Sequence, residues 1–397
     1  MKAAENFKWV VPVTFGVGTI SELGMELSKR GCRKVLLFHG KSVEKAGFST
    51  KLRALIEAEG IAVVDCNESE PDPTENKVNC IGRMAREAKI DGIVAVGGGS
   101  AIDGAKAIKV LVNNPGEIKD YFLGTNKVQL EGVPLIAMPT TAGTGTEVDR
   151  VSMITSSEDG SKKVLIGVGA APDVAIVDPE LTTTCPPVTT AGCGFDALGH
   201  CIDAATGKLS TDIIRTFAFK AIRLIRENLE KAIVNGNDLD VRTALHMASM
   251  LGGVDIANAN CSAAHAFAHG MGAAFHVSHG KCVAIFTPAC LEFVAEASKH
   301  EIKAIGGIIG VAVDESEDPQ TAAKKVSEAI YRWYRKCGLP NIVDLIPDQK
   351  DALEKIIPLA LADVNGRFAR RELDAEKARW IVMRQLEIGR ASCRERV

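Results

Sequence analysis

The chain has 397 residues, 46% of them hydrophobic and 24% charged, with a formal net charge of −3. That length exceeds one ordinary core and predicts two domains, while the charge excludes a nucleic-acid surface built on bulk basicity. No apolar run reaches the roughly 20 residues of a membrane span. The opening MKAAENFKWVVPVTFG also lacks a signal-peptide core, so a soluble, cytoplasmic protein with neither membrane nor nucleic-acid partner is expected. Eleven cysteines at irregular spacing, with no Cys-x-x-Cys pair, fit neither a disulfide framework nor a zinc ribbon and point to a reducing compartment.

Apolar runs of strand length come first: KVLLFHG (34–40), IAVVDC (61–66), GIVAVGG (92–98), PLIAMPT (134–140) and VAIVDPEL (174–181). KLRALIEAEG (51–60) and ENKVNCIGRMAREAKI (75–90) lie between them with helical spacing of apolar residues. Strands alternating with helices predict an α/β domain over residues 1–185, with parallel strands and crossover helices. The boundary is placed in TTTCPPVTTAG, after which strand signals stop. Long amphipathic stretches at 211–233 and 240–259 predict an all-α domain over 186–397. The tail GRASCRERV (389–397) does not continue the preceding apolar periodicity and is expected to be disordered or an appended tail.

Within the first half, GIVAVGGGSAIDGAKAI carries an anion-binding pattern. A strand ends in Gly97, Gly98 and Gly99, and Ser100 opens a helix, so backbone N–H groups and the helix dipole can face a phosphate. Ser100 and Asp103 have the S-x-x-D spacing of a capping arrangement. The bland alternative is a plain glycine-rich turn. The usual G-x-G-x-x-G fingerprint is absent. A second loop, PTTAGTGTEVD, offers the hydroxyls of Thr140, Thr141 and Thr144 beside small residues. Two such loops at strand C-termini favour a dinucleotide over a lone phosphate.

In the second half, Asp196 and His200 stand at i,i+4 in GFDALGHCIDAA, a segment with helix-favouring Ala and Leu, and so share one helix face. His265, His269, His276 and His279 place half of the eight histidines within fifteen residues. Three imidazoles and one carboxylate (Asp196, His200, His265, His279) suit a divalent first-row metal of borderline softness and leave room for a substrate atom. Any one of these histidines alone reads better as a buried, hydrogen-bonded core residue. Cys193, Cys201 and Cys261 lie nearby in sequence and read as small buried hydrophobes.

Together these segments resemble the iron-dependent (group III) alcohol dehydrogenase family, from FGVGTISELG to about Pro288. The resemblance implies a dinucleotide-binding α/β domain followed by a helical metal-binding domain, the dehydroquinate-synthase-like fold. It implies that Asp196, His200, His265 and His279 hold Fe(2+), with Zn(2+) close behind, and that His269 lies near the nicotinamide and relays protons. Spacing within the matching motif favours His279 over His276. Gly97, Gly98, Gly99 and Ser100, with Asp103 in the same segment, are implied at the pyrophosphate, and Thr140, Thr141, Thr144 and Lys162 around the rest. NAD-preferring relatives carry Asp where this chain has Gly40, and Lys41 follows, a departure that favours NADP(H) or use of both NADP(H) and NAD(H). Ser262, Ser278 and the segment NGRFARR also depart from the family pattern.

The implied activity is hydride transfer between a small primary alcohol and its aldehyde. Rivals are a zinc-dependent polyol dehydrogenase of the glycerol dehydrogenase type, and a non-catalytic metal- or nucleotide-binding sensor. FKWVVPVTF is expected to pair across a homodimer or higher homo-oligomer, as in relatives.

Overall fold

In the computed structural model, which describes residues 5–125, 132–314 and 316–394, eight strands are formed. They are β1 (Val13–Phe15), β2 (Lys34–Gly40), β3 (Ala62–Ser69), β4 (Gly92–Gly97), β5 (Leu135–Pro139), β6 (Val151–Thr155), β7 (Lys162–Ile166) and β8 (Val174–Val177). Six make one sheet in the order β1-β8-β5-β4-β2-β3, every pair parallel. The connecting helices are α1 (Leu23–Lys29), α2 (Lys41–Lys45), α3 (Phe48–Ala58), α4 (Glu75–Glu87) and α5 (Gly99–Asn113).

Strands β2, β4, β5 and β8 are buried on both faces because both faces are covered. Leu36, Phe38, Ile93 and Ala95 pack with Val78 and Ile81 of α4 and Ile102 and Ile108 of α5. Val35, Leu37, Val94 and Val96, the alternating set, pack with Leu23 and Leu27 of α1 and Leu52 and Ile56 of α3. From β2 the chain goes outward to β3, then returns past β2 to β4 and on to β5. The order therefore reverses between β2 and β4, and parallel sheets bind ligands at the strand C-termini beside such a reversal. Gly40 ends β2 and Gly97 ends β4, so both lie at that edge.

The second half contributes α6 (Pro187–Thr206), α7 (Asp212–Val234), α8 (Leu239–Ala259), α9 (Ala263–Phe275), α10 (His279–Phe293), α11 (Lys299–Ile309), α12 (Pro319–Lys336), α13 (Ile342–Leu345), α14 (Gln349–Ala362) and α15 (Ala375–Arg394). Nearly every residue of α6 from Thr190 onward is buried, the pattern of a helix surrounded by others. Two compact units result, with the chain cut between Cys185 and Pro186. Residues 237–246, which include the start of α8, join the α/β unit, and residues 5–8 join the helical one.

Three features differ from the sequence expectations or were absent from them. The antiparallel pair β6 and β7 was not foreseen, because the lysines of KKVLI dilute its apolar alternation. Of FKWVVPVTF, residues Val13–Phe15 form β1 on β8 of the same chain. And α15 runs to Arg394, where the tail was expected to leave the helix: Arg and Ala are good helix formers that extend a helix without an apolar face. The rest of that tail, 395–397, lies outside the described residues. Among the described residues no helix is long and apolar enough to cross a membrane, and the ten cysteines form no disulfide.

Candidate functional site

The helical unit brings Asp196 and His200 of α6, His265 of α9 and His279 of α10 together, with one potential ligand atom from each inside 4.8 Å of all the others. Helical period places the first two; packing places the rest. Gly199, between them, has no side chain, and a Cβ there would sit 2.2 Å from Val283 Cγ1 and 3.4 Å from His265 Cε1. A Cβ on Gly280 would fall 2.3 Å from the Gly192 carbonyl oxygen. Small residues thus let α9 and α10 close on α6. The His200 and His265 rings stack at 4.6 Å.

Asp196 Oδ1 is the common focus, 3.3 Å from His279 Nε2, 3.8 Å from His265 Nε2 and 4.0 Å from His200 Nε2. Asp196 Oδ1 and His265 Nε2 are buried without a hydrogen-bond partner. Buried polar atoms left unmatched are costly, and a cation at their focus answers that cost. One hard oxygen and three imidazole nitrogens fit a divalent iron or zinc ion. His276 is exposed, in left-handed conformation at the C-cap of α9, and does not join the group.

Electrostatics at Asp196 and His200 agree with that fit. Burial raises the Asp196 carboxyl, but the neighbouring His279 and His200 rings outweigh it and hold it well below the usual carboxylate range. Burial pushes His200 down to about 4 against the pull of Asp196, which favours the neutral, ligating ring. Burial also opposes charge on His265, yet Cys261, Asp196 and Asp203 together raise it.

Two carboxylates missed in the sequence orient this group. Asp203 Oδ2 accepts from His265 Nδ1 at 2.8 Å and from the Ser262 N–H at 2.8 Å. Asp203 lies three residues after His200 on α6, so the same helical count would have found it. Asp363 Oδ2 accepts from His269 Nδ1 at 2.7 Å, and Asp363 Oδ1 from the Asn365 N–H at 2.8 Å. It is 94 residues from His269, and no local signal marks it. The His269 ring stacks on His279 at 5.2 Å. Burial lowers the His269 pKa against the raising pull of Asp363.

In the α/β unit, β4 and β5 are neighbours with Gly97 opposite Pro139, so the loops after them start side by side. Thr140 N–H donates to the Gly97 carbonyl at 2.9 Å. A Cβ on Gly99 would lie 2.6 Å from Thr144 Cγ2, and one on Gly98 would lie 3.3 Å from Thr141 Oγ1. Gly99 is therefore needed for the loops to touch, and Gly98 sits tight against Thr141. The expected capping arrangement is not formed: α5 begins at Gly99 with Gly98 as N-cap and no side-chain cap. Ser100 Oγ instead accepts from the Asp72 N–H at 3.3 Å, and Asp103 turns inward to Thr146 Oγ1 at 2.7 Å and the Met153 N–H at 2.9 Å. Tertiary partners outcompeted the local cap.

Lys162 donates to Thr155 Oγ1 at 3.0 Å and pairs with Asp72. Gly40 faces Ser69, whose carbonyl oxygen would be 3.1 Å from a Cβ at position 40. Lys41 follows as an exposed first residue of α2.

A helical unit with a buried Asp and three-His donor set, and an α/β unit with paired phosphate-type loops at a strand reversal, define a metal-dependent, dinucleotide-linked dehydrogenase. The chain belongs to the iron-containing alcohol dehydrogenase family. The family profile "Iron-containing alcohol dehydrogenase" matches residues 11–179, and "Fe-containing alcohol dehydrogenase family, C-terminal" matches 190–383. The chain is 32% identical over 349 residues to the NAD-dependent methanol dehydrogenase of Bacillus methanolicus, covering 88% of this chain and 91% of that one. It is 31% identical to the choline dehydrogenase of Bacillus subtilis, covering 97% and 96%. A crystal structure of 1,3-propanediol oxidoreductase superposes with a TM-score of 0.90 at 30% identity, covering 96% of this chain and all of the other.

Proposed function

We propose that this chain interconverts a small primary alcohol and its aldehyde, with metal held by Asp196, His200, His265 and His279. A nicotinamide dinucleotide lies against Gly97, Gly98, Gly99 and Ser100, with Thr140, Thr141, Thr144 and Lys162 around the remainder. The unpartnered buried atoms of Asp196 and His265 carry the reading, because a purely structural cluster would have satisfied them.

When bound, the metal supplies Lewis-acid polarisation of the substrate oxygen and the dinucleotide supplies hydride chemistry. The chain's own residues do the rest. Asp196 offsets part of the cation's charge, which three neutral imidazoles do not. Asp203 fixes His265 with Nδ1–H donating, so that Nε2 is the free lone pair. Asp363 fixes His269 in the same tautomer, leaving His269 Nε2 to accept the hydroxyl proton in one direction and return it in the other.

The relatives named for methanol, choline and 1,3-propanediol share similar identity with this chain, so identity alone does not choose among alcohols. Asp103, turned to Thr146, supports the pyrophosphate segment from beneath. At the end of β2, Gly40 supplies no acid to repel a 2′-phosphate and Lys41 supplies a cation, so NADP(H) is accepted beside NAD(H). The cytoplasm is the proposed compartment. The edge strand β1 supports a homodimer, which a monomeric mass in solution would contradict.

The cofactor assignment is tested by Lys41→Glu. The KM for NADPH rises about tenfold while that for NADH changes little, reflecting one lost charge contact and one new repulsion. Equal changes for both cofactors would remove Lys41 from the 2′-phosphate.

A further inference from the structure

Beneath the two loops of the α/β unit lies a buried charge cluster centred on Lys106, a residue that neither ligand site uses. Lys106 of α5 is fully buried. Its ammonium donates to Thr146 Oγ1 at 2.6 Å, to the Val151 carbonyl at 2.6 Å and to the Asp149 carboxylate. All three donors of the ammonium are thereby spent. Asp103, nearly one turn earlier on the same helix, accepts from Thr146 Oγ1 at 2.7 Å, and its backbone carbonyl accepts from Ser152 Oγ at 2.8 Å. The Thr146 hydroxyl thus links Asp103 and Lys106 of α5 to the end of the second loop.

The first turn of α5 carries Gly99, against which Thr144 packs. Its next turns carry Asp103 and Lys106, which hold residues 146–153. One helix therefore begins at the first loop and grips the second. Buried charges add little stability over apolar groups of equal volume; what they add is geometric specificity.

We infer that Lys106 is a positioning residue for the dinucleotide: through Thr146 and Asp149 it holds the loop at 140–145 in register with the glycines at 97–99. The inference rests on the dinucleotide reading of both loops. Lys106 touches neither ligand. Its effect is to preorganise the donors that do, so that binding does not have to order them.

The test compares Lys106→Met and Thr146→Val with the unsubstituted holoenzyme. Thr146→Val keeps the side-chain shape and removes only the shared hydroxyl, and it carries the test alone if Lys106→Met does not fold. The Kd for NAD and for ADP-ribose, which presents the pyrophosphate without the nicotinamide, is expected to rise about tenfold. The dinucleotide KM rises with it, while metal content and the KM for alcohol stay within about twofold. Unchanged Kd values in folded Thr146→Val, whatever happens to its melting temperature, would overturn the positioning role. Failure of the unsubstituted chain to bind either ligand would instead contradict the dinucleotide reading, and this inference with it.

Discussion

The Asp203 carboxylate accepts from His265 Nδ1 at 2.8 Å and lies on α6, the helix that also carries Asp196 and His200. One helix thus supplies two of the proposed ligands and the group that orients a third from α9. An ionised carboxylate can only accept, which makes Nδ1 the protonated nitrogen and leaves Nε2 for the metal.

Replacing Asp203 with Asn should therefore weaken metal binding about ten- to a hundredfold while leaving the fold intact. The measurement is metal retained against a graded chelator series. Retention equal to the unsubstituted protein would show that His265 needs no such partner.

Gly199→Ala tests the close approach of the helices. Its Cβ would meet Val283 Cγ1 at 2.2 Å, so α10 or its side chains must shift. Overpacking of this kind costs about 1–3 kcal/mol. A lower thermal midpoint together with reduced metal content is expected. A loss of stability with full metal content would separate packing from ligand placement.

Glu147 provides a pH signature independent of the metal. Burial, reinforced by Asp149, pushes its carboxyl from an ordinary 4.5 up to about 7, and Oε1 has no partner. The folded chain therefore holds a proton that the unfolded chain has released. The stabilising contribution is full below 4.5 and is lost as pH rises through about 7. At about 1.4 kcal/mol per unit, Glu147→Gln should gain on the order of 3 kcal/mol relative to the parent on going from acid to mildly alkaline pH. Denaturant midpoints of both proteins at about pH 5 and about pH 8 provide the check. Parallel behaviour across that range would mean that Glu147 stays charged.

Legibility in the sequence followed the range of the interaction. Asp196 and His200 show through helical period, and the glycine run shows by its composition, with Gly99 leaving the room that Thr144 fills. Asp203 was within reach of the same helical count, whereas Asp363 meets His269 only through the fold. Lys106 reads in sequence as an ordinary helical lysine; three acceptors from beyond β5 bury it. The S-x-x-D pattern misled for the opposite reason, since the Asp103 carboxylate found stronger partners in Thr146 and Met153 than a helix end offers. The hairpin of β6 and β7 escaped because its lysines hide the alternation of a strand.

The most direct test is anaerobic. Iron(II)-loaded protein and a His265→Ala variant, both verified as folded, are given propionaldehyde with NADH and NADPH in parallel. The account predicts turnover in the parent and its loss, together with loss of bound iron, in the variant. Undiminished turnover by His265→Ala, or full iron content in it, would contradict the metal-dependent reading of the Asp196, His200, His265 and His279 centre.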